Sequence, residues 1–172
     1  MNDFVILEKT NDVGGTWREN QYPGAACDVQ SHMYSLSFAP KTDWSKRYAE
    51  ADEIFEYIQD ITQQYRLKDY CKFNHEVTHA EFDENRNVWS LDFKDQPSIE
   101  AQFVIFASGP LHVPQIPHLK GIEKFKGKVF HSSQWDHQYS LEGKSVASIG
   151  TGGSAIQYIP EIAQEVKQLC VF

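Results

Sequence analysis

The 172-residue chain is poor in several features that would mark whole classes of protein. It has no basic run, and its formal net charge of −8 argues against a nucleic-acid or anionic-membrane surface. It has no long apolar span, which gives no membrane helix, and no signal-peptide pattern at its start. Its three cysteines, Cys27, Cys71 and Cys170, are odd in number, far apart and without a CxxC spacing. That usage suits free thiols in a reducing cytoplasm. Repeats and low-complexity tracts are also missing. What remains is ordinary globular composition, 41% hydrophobic and 23% charged, with aromatics somewhat rich at 13%.

The chain opens on Phe4-Val-Ile-Leu-Glu8, a pattern for a buried parallel strand that ends in an acid. Such a strand needs neighbours on both sides, so further chain is expected upstream. Residues 10–48 form a long irregular stretch rich in Gly, Pro, Asn and aromatics, a length that suggests a functional loop. Apolar spacing predicts an amphipathic helix over 50–66, with Ile54, Phe55, Ile58, Ile61 and Tyr65 on one face. Two β-type runs, Glu76–Phe82 and Val88–Phe93, flank the turn sequence Asp83–Asn87 and predict a hairpin. A strand is expected at Ala101–Phe106 and a Pro-containing linker at 112–118. Another strand follows at Ser145–Ile149, then a helix over Gly153–Leu169 and the start of a last strand at Cys170–Phe172.

The strongest local signal is the strand–turn–helix with Gly150-x-Gly152-x-x-Ala155. In a dinucleotide fingerprint the first glycine makes the tight turn and the second lets backbone approach a pyrophosphate. The small third residue packs helix on strand. The helix N-terminus adds amide donors and a favourable dipole. The residue that distinguishes NADP from NAD lies about 20 residues further on, beyond Phe172. Glu8, at a strand end, stands where a ribose-binding carboxylate would be; taken alone it is more simply a polar strand end. His75-Glu76-Val77-Thr78-His79 imitates the H-E-x-x-H zinc signature. That chemistry needs a helix. In a strand the two histidines stand about 13 Å apart, so no metal site is expected.

A second pattern precedes the glycine turn: Phe125-x-Gly127-x-x-x-His131-x-x-x-Trp135-Asp136. The strip and the turn together resemble the class B flavoprotein monooxygenases, whose fingerprint is Phe-x-Gly-x-x-x-His-x-x-x-Trp-(Pro/Asp). Trp135 favours the Baeyer–Villiger branch over the N- and S-oxygenating flavin monooxygenases. Glu8, Gly14–Arg18 and Tyr22-Pro23-Gly24-Ala25-x-Cys27-Asp28 match the family's FAD-binding stretch, and Ala107–Pro110 resembles its Ala-Thr-Gly turn. The resemblance runs from Phe4 to Phe172 but covers only part of a family member. The family's first FAD phosphate loop and its catalytic arginine have no counterpart here.

The resemblance implies an α/β fold, an incomplete Rossmann-like flavoprotein with two dinucleotide-binding domains and a β-hairpin insertion. Residues 1–111 would be a partial FAD-binding domain, 112–140 the interdomain linker and 141–172 the start of an NADP-binding domain. The implied cofactors are FAD and NADP, and the implied substrates a small-molecule ketone and O2. Oxygen insertion would pass through a C4a-peroxyflavin. Asp28, beside the flavin, and His131, coupling NADP binding to domain rotation, are the implied catalytic residues. An Asx-turn is the simpler role for Asp28, and a structural role the simpler one for a lone histidine. Cofactor binding is implied for Glu8, Gly15, Thr16, Trp17, Asp28, Tyr34 and Val77 on the FAD side. On the NADP side it falls to Gly150, Thr151, Gly152, Gly153, Ser154, Ala155 and Ile156. Tyr34 and Val77 also fit ordinary core. The chain by itself is expected to be incomplete for turnover, and to associate with a complementary chain or with itself through the apolar edges at Phe4–Leu7 and Cys170–Phe172. N- or S-oxygenation and an inactive fragment are the alternative readings.

Overall fold

A computed structural model describes residues 3–111 and 113–172; Met1, Asn2 and His112, the first residue of the expected linker, lie outside the described residues. The chain divides into two compact units, each assembled from two separate stretches. The first unit comprises Met1–Gly14 and Ile58–Gly109, and the second Gly15–Tyr57 and Pro110–Phe172.

In the first unit, strand β1 (Ile6–Leu7) pairs in parallel with β2 (Cys71–Lys72). The expected strand over 4–8 is therefore shorter and less buried, because among the described residues it has one neighbour rather than two: Phe4, Val5 and Ile6 are exposed. Phe4 instead stacks on Tyr70, with ring centroids 4.6 Å apart. Strands β3 (Val77–Asp83), β4 (Val88–Phe93) and β5 (Ile99–Ala101) form an antiparallel meander. The turn between β3 and β4 works as its composition suggests. Asp83 Oδ1 accepts the Asn85 and Arg86 amides at 2.9 and 3.1 Å, and Asn87 takes a left-handed φ of 53°. Leu91 and Phe93 of β4 are buried, in the two-residue alternation of a one-sided sheet. Arg86 clamps Glu100 with two bonds of 2.8 Å each.

The strand expected at Ala101–Phe106 does not form. β5 ends at Ala101, and Phe103 and Ile105 are 86% and 90% exposed. A strand is defined by its ladder, and beyond Ala101, which pairs with Trp89, no strand among the described residues pairs with this segment.

In the second unit, the long stretch after Gly15 is organised without regular strands. Short helix α1 (Thr16–Glu19) and a 3-10 turn at Ser31–Met33 punctuate it. Residues 25–31 are tied to 46–51: Cys27 donates to Ala49 O at 2.9 Å, Ser31 to Arg47 O at 2.8 Å, and Ala51 to Ala25 O at 2.8 Å. Helix α2 (Ala51–Gln64) begins there, and the unit boundary falls inside it, between Tyr57 and Ile58. Its buried positions are Ala51, Ile54, Tyr57, Ile61 and Thr62. Tyr65, expected on that face, is exposed because the helix stops at Gln64. Tyr57 holds a hairpin-like segment, its hydroxyl accepting the Leu36 amide (2.9 Å) and donating to Ala39 O (2.7 Å).

The unit closes with β6 (Ser145–Ser148), α3 (Gly153–Ile162) and β7 (Gln168–Val171), a βαβ element with β6 and β7 parallel in register. Helix α3 ends at Ile162 rather than Leu169. Residues 168–171 are needed for the ladder with β6, and Pro160 already removes one helical donor.

Candidate functional site

The turn after β6 has the backbone its glycines permit. Gly150 sits at φ +111°, in the region open to glycine, and its amide bonds Phe172 O at 2.9 Å. Gly152 is the N-cap of α3, and no side chain caps the helix. The amides of the first helical turn therefore point out of the helix without intrahelical acceptors. A Cβ placed on Gly150, Gly152 or Gly153 would meet no atom within 4 Å, so the space above the turn is open. Thr151 is exposed, Ser154 half-buried and Ile156 exposed, whereas Ala155 is buried. Small size at 155 is thus a packing requirement. Nearby, the buried Ser148 Oγ lies 2.7 Å from Tyr158 Oη, fixing α3 on β6.

The strip before this turn packs on the same unit. The Trp135 ring lies 5.1 Å from Phe130 and 5.4 Å from Tyr158 of α3. It packs, with Trp17 and Tyr158, on a core of Tyr22, Ala25 and Ala51. His131 is half-buried and N-caps the 3-10 turn Ser132–Gln134: its Nδ1 accepts the Ser133 amide at 3.2 Å. With Nδ1 accepting, the neutral ring carries its proton on Nε2, which has no hydrogen-bond partner among the described residues. Lys128 lies 2.7 Å from Asp136, and this bond, aided by the Gln138 amide, holds the Asp136 carboxyl below its ordinary range.

The remaining second-unit residues gather around α1. Gly15 is its N-cap at φ +47°, open on its Cβ side, and Thr16 is half-buried. Trp17 Nε1 donates to Tyr34 Oη at 3.0 Å, with the rings edge to face. Asp28 is exposed, and its carboxylate makes no hydrogen bond among the described residues, so the Asx-turn does not form. Next to it Cys27 is buried, and that desolvation pushes its thiol up. A cleft of about 400 Å³ is lined by Arg18, Glu19 and Gln21 on one side and by Ser133, Gln134, Trp135 and His137 on the other. Neither Asp28 nor the glycine turn lines it.

Glu8 and Val77 belong to the first unit. Glu8 Oε1 accepts the Thr10 amide and hydroxyl, each at 2.8 Å, so one carboxylate oxygen is held locally. Val77, the first residue of β3, is partly exposed and pairs with Phe93. His75 precedes β3 and His79 lies within it, the extended setting expected of them. Among the described residues no cluster of three or more His, Cys, Asp or Glu could hold a metal, and no helix is long and apolar enough to cross a membrane.

One residue the motifs do not reveal joins two of these groups. Gln157 of α3 bonds Tyr22 and both backbone groups of Ala26. Its partners lie 135 and 131 positions away in the chain, so no local pattern announces it.

Comparison with known proteins gives the family and the fold. A Baeyer–Villiger monooxygenase of Streptomyces coelicolor is 42% identical over all 172 residues, and one of Pseudomonas aeruginosa is 46% identical over 171. The chain spans about one third of the length of these relatives, 33% and 32%. Among solved structures, cyclohexanone monooxygenase with bound epsilon-caprolactone superposes with a TM-score of 0.90 at 35% identity, over 98% of this chain and 34% of its own. OTEMO in complex with FAD and NADP gives 0.89 at 34%, over the same shares. The fold is therefore part of a Rossmann-like α/β flavoprotein. With the FMO-like profile (flavin-binding monooxygenase-like) matching residues 3–172, the chain belongs to that family of flavin-dependent monooxygenases.

Proposed function

We propose that the chain is part of an FAD- and NADPH-dependent monooxygenase that inserts one oxygen atom of O2 into a ketone, of Baeyer–Villiger type. The observation that carries this reading is the β6–Gly150–Gly152–α3 turn, open above its glycines and uncapped at its helix N-terminus. It follows directly on a fingerprint strip anchored through Trp135. Those residues fit a dinucleotide pyrophosphate: an anion placed there meets free amides and the positive end of a helix, and no Cβ. The names of the similar proteins support the same cofactor pair.

Residues 1–111 would serve the flavin, 112–140 the linkage and 141–172 the nicotinamide cofactor. Bound flavin would supply the oxygen-transfer chemistry and NADPH the reducing hydride. Glu8 offers Oε2 to a ribose hydroxyl, and Gly15, Thr16 and Trp17 offer backbone and a ring edge. Tyr34 orients Trp17, and Val77 contributes apolar surface. Asp28, exposed and without a hydrogen bond to its carboxylate among the described residues, is placed to act on the reacting groups. His131 has Nε2–H to donate to the nicotinamide cofactor. The three free thiols suit a cytoplasmic setting.

The direct test is NADP titration of the purified chain with a Gly152→Ala variant beside it. A Cβ at 152 meets nothing within 4 Å, and alanine in place of glycine at an N-cap costs on the order of 1 kcal/mol. Affinity should nevertheless fall at least about tenfold, or 1.4 kcal/mol. Equal affinity in the two proteins would remove the dinucleotide reading. Flavin content, then NADPH oxidation driven by ketone against amine or sulfide, decides between Baeyer–Villiger and N- or S-oxygenation.

A further inference from the structure

We propose that Gln157 is a positioning residue that couples the dinucleotide turn to Asp28, so that a nicotinamide dinucleotide bound at Gly150–Ala155 steadies the backbone carrying that carboxylate. The proposal rests on the reading of the turn given above.

The Gln157 side-chain amide makes three bonds. Its Oε1 accepts the Tyr22 hydroxyl at 2.9 Å and the Ala26 amide at 3.2 Å, and its Nε2 donates to Ala26 O at 2.8 Å. Both backbone groups of Ala26 are thus held by one planar amide, which fixes orientation as well as distance. Gly24 permits the close approach: at φ +72° it takes a left-handed turn, and a Cβ there would stand 2.8 Å from Gln157 O. From the opposite side, Ala25 O and the Cys27 amide are bonded to Ala51 and Ala49.

Asp28 lies two residues beyond Ala26, and its own carboxylate has no hydrogen bond among the described residues. Its position therefore follows from this backbone. At the other end, Gln157 stands one turn past Gly153, the first residue of α3. Ile156 N bonds Gly152 O at 3.1 Å, so whatever orders the turn orders the helix turn bearing Gln157.

Hydrogen–deuterium exchange on the full 172-residue chain, with and without NADP, tests this. In the native protein NADP should slow exchange across residues 22–28 by about fivefold, the weight of one net hydrogen bond. Gln157→Met keeps length and apolar contact but no amide; it should still bind NADP and lose that protection. Gln157→Glu keeps acceptors for Tyr22 and Ala26 N–H but not the donor to Ala26 O, and should retain only part. Where Gln157→Met melts too low to measure, Gln157→Glu decides: full protection in it overturns the coupling, reduced protection supports it. NADP binding without protection of 22–28 in the native chain, or with equal protection in Gln157→Met, also overturns the coupling while leaving the dinucleotide site intact. Failure of the native chain to bind NADP overturns both.

Discussion

At the scale of single residues, Ala155 and Ile156 are neighbours with opposite surroundings. Ala155 is buried in the first turn of α3, and Ile156 is exposed beside the open turn. Ala155→Leu should destabilise the chain by about 1–3 kcal/mol through overpacking, whereas Ile156→Ser should change stability by less than about 0.5 kcal/mol; urea unfolding reads both. Asp136 offers a pH test. Lys128 keeps its carboxyl below the ordinary value. The ion pair is therefore present above the ordinary Asp range, about 3.9, and is lost as pH falls through the depressed folded value. Melting temperature should fall less steeply on acidification in Asp136→Asn than in the native chain, and identical acid limbs would contradict this. The glycine conformation at 150 and the burial of Ala155 were legible because each is set locally, by a tight turn and by a small side chain. Gln157 was not, because its role exists only once distant segments meet.

At the scale of elements, α2 and the β3–β4 hairpin were legible almost to the residue. Each carries its own period, and Asp83 and Asn87 supply turn chemistry. Two elements misled. In α3 the apolar positions Ile159, Ile162, Val166 and Leu169 continue a helical spacing into residues that the parallel ladder takes as strand. Residues 102–106 have strand composition but no partner among the described strands, the pairing of β5 with β4 ending at Ala101. Pairing is a property of two segments, so composition of one could not decide it. Tyr57 predicts how much one helix residue stabilises its surroundings. Tyr57→Phe leaves the Leu36 amide and Ala39 carbonyl without their hydroxyl partner, at a cost of about 1–3 kcal/mol. Amide exchange at residues 36–39 should accelerate accordingly, and unchanged exchange there would show that the hydroxyl contributes nothing.

At the scale of the whole molecule, the chain leaves much apolar surface in solvent. Phe103, Ile105 and Phe106 are all exposed in one short segment, a composition that favours association. The isolated chain should self-associate with rising concentration in sedimentation experiments, and Ile105→Lys should shift it toward monomer without lowering its melting temperature. A native monomer at high micromolar concentration would contradict this.

The interleaving of the two units has a consequence for how the polypeptide can be cut. A break between Gly109 and Pro110 does not separate the units. It splits the second unit into residues 15–57 and 110–172, which remain stitched by Tyr22, Ala26 and Gln157 and by the packing of Trp135. A nicked chain should therefore migrate as one species under native conditions and as two bands once denatured. Two peptides cut at this border should therefore reconstitute the protein, because the first of them still carries residues 15–57 of the second unit.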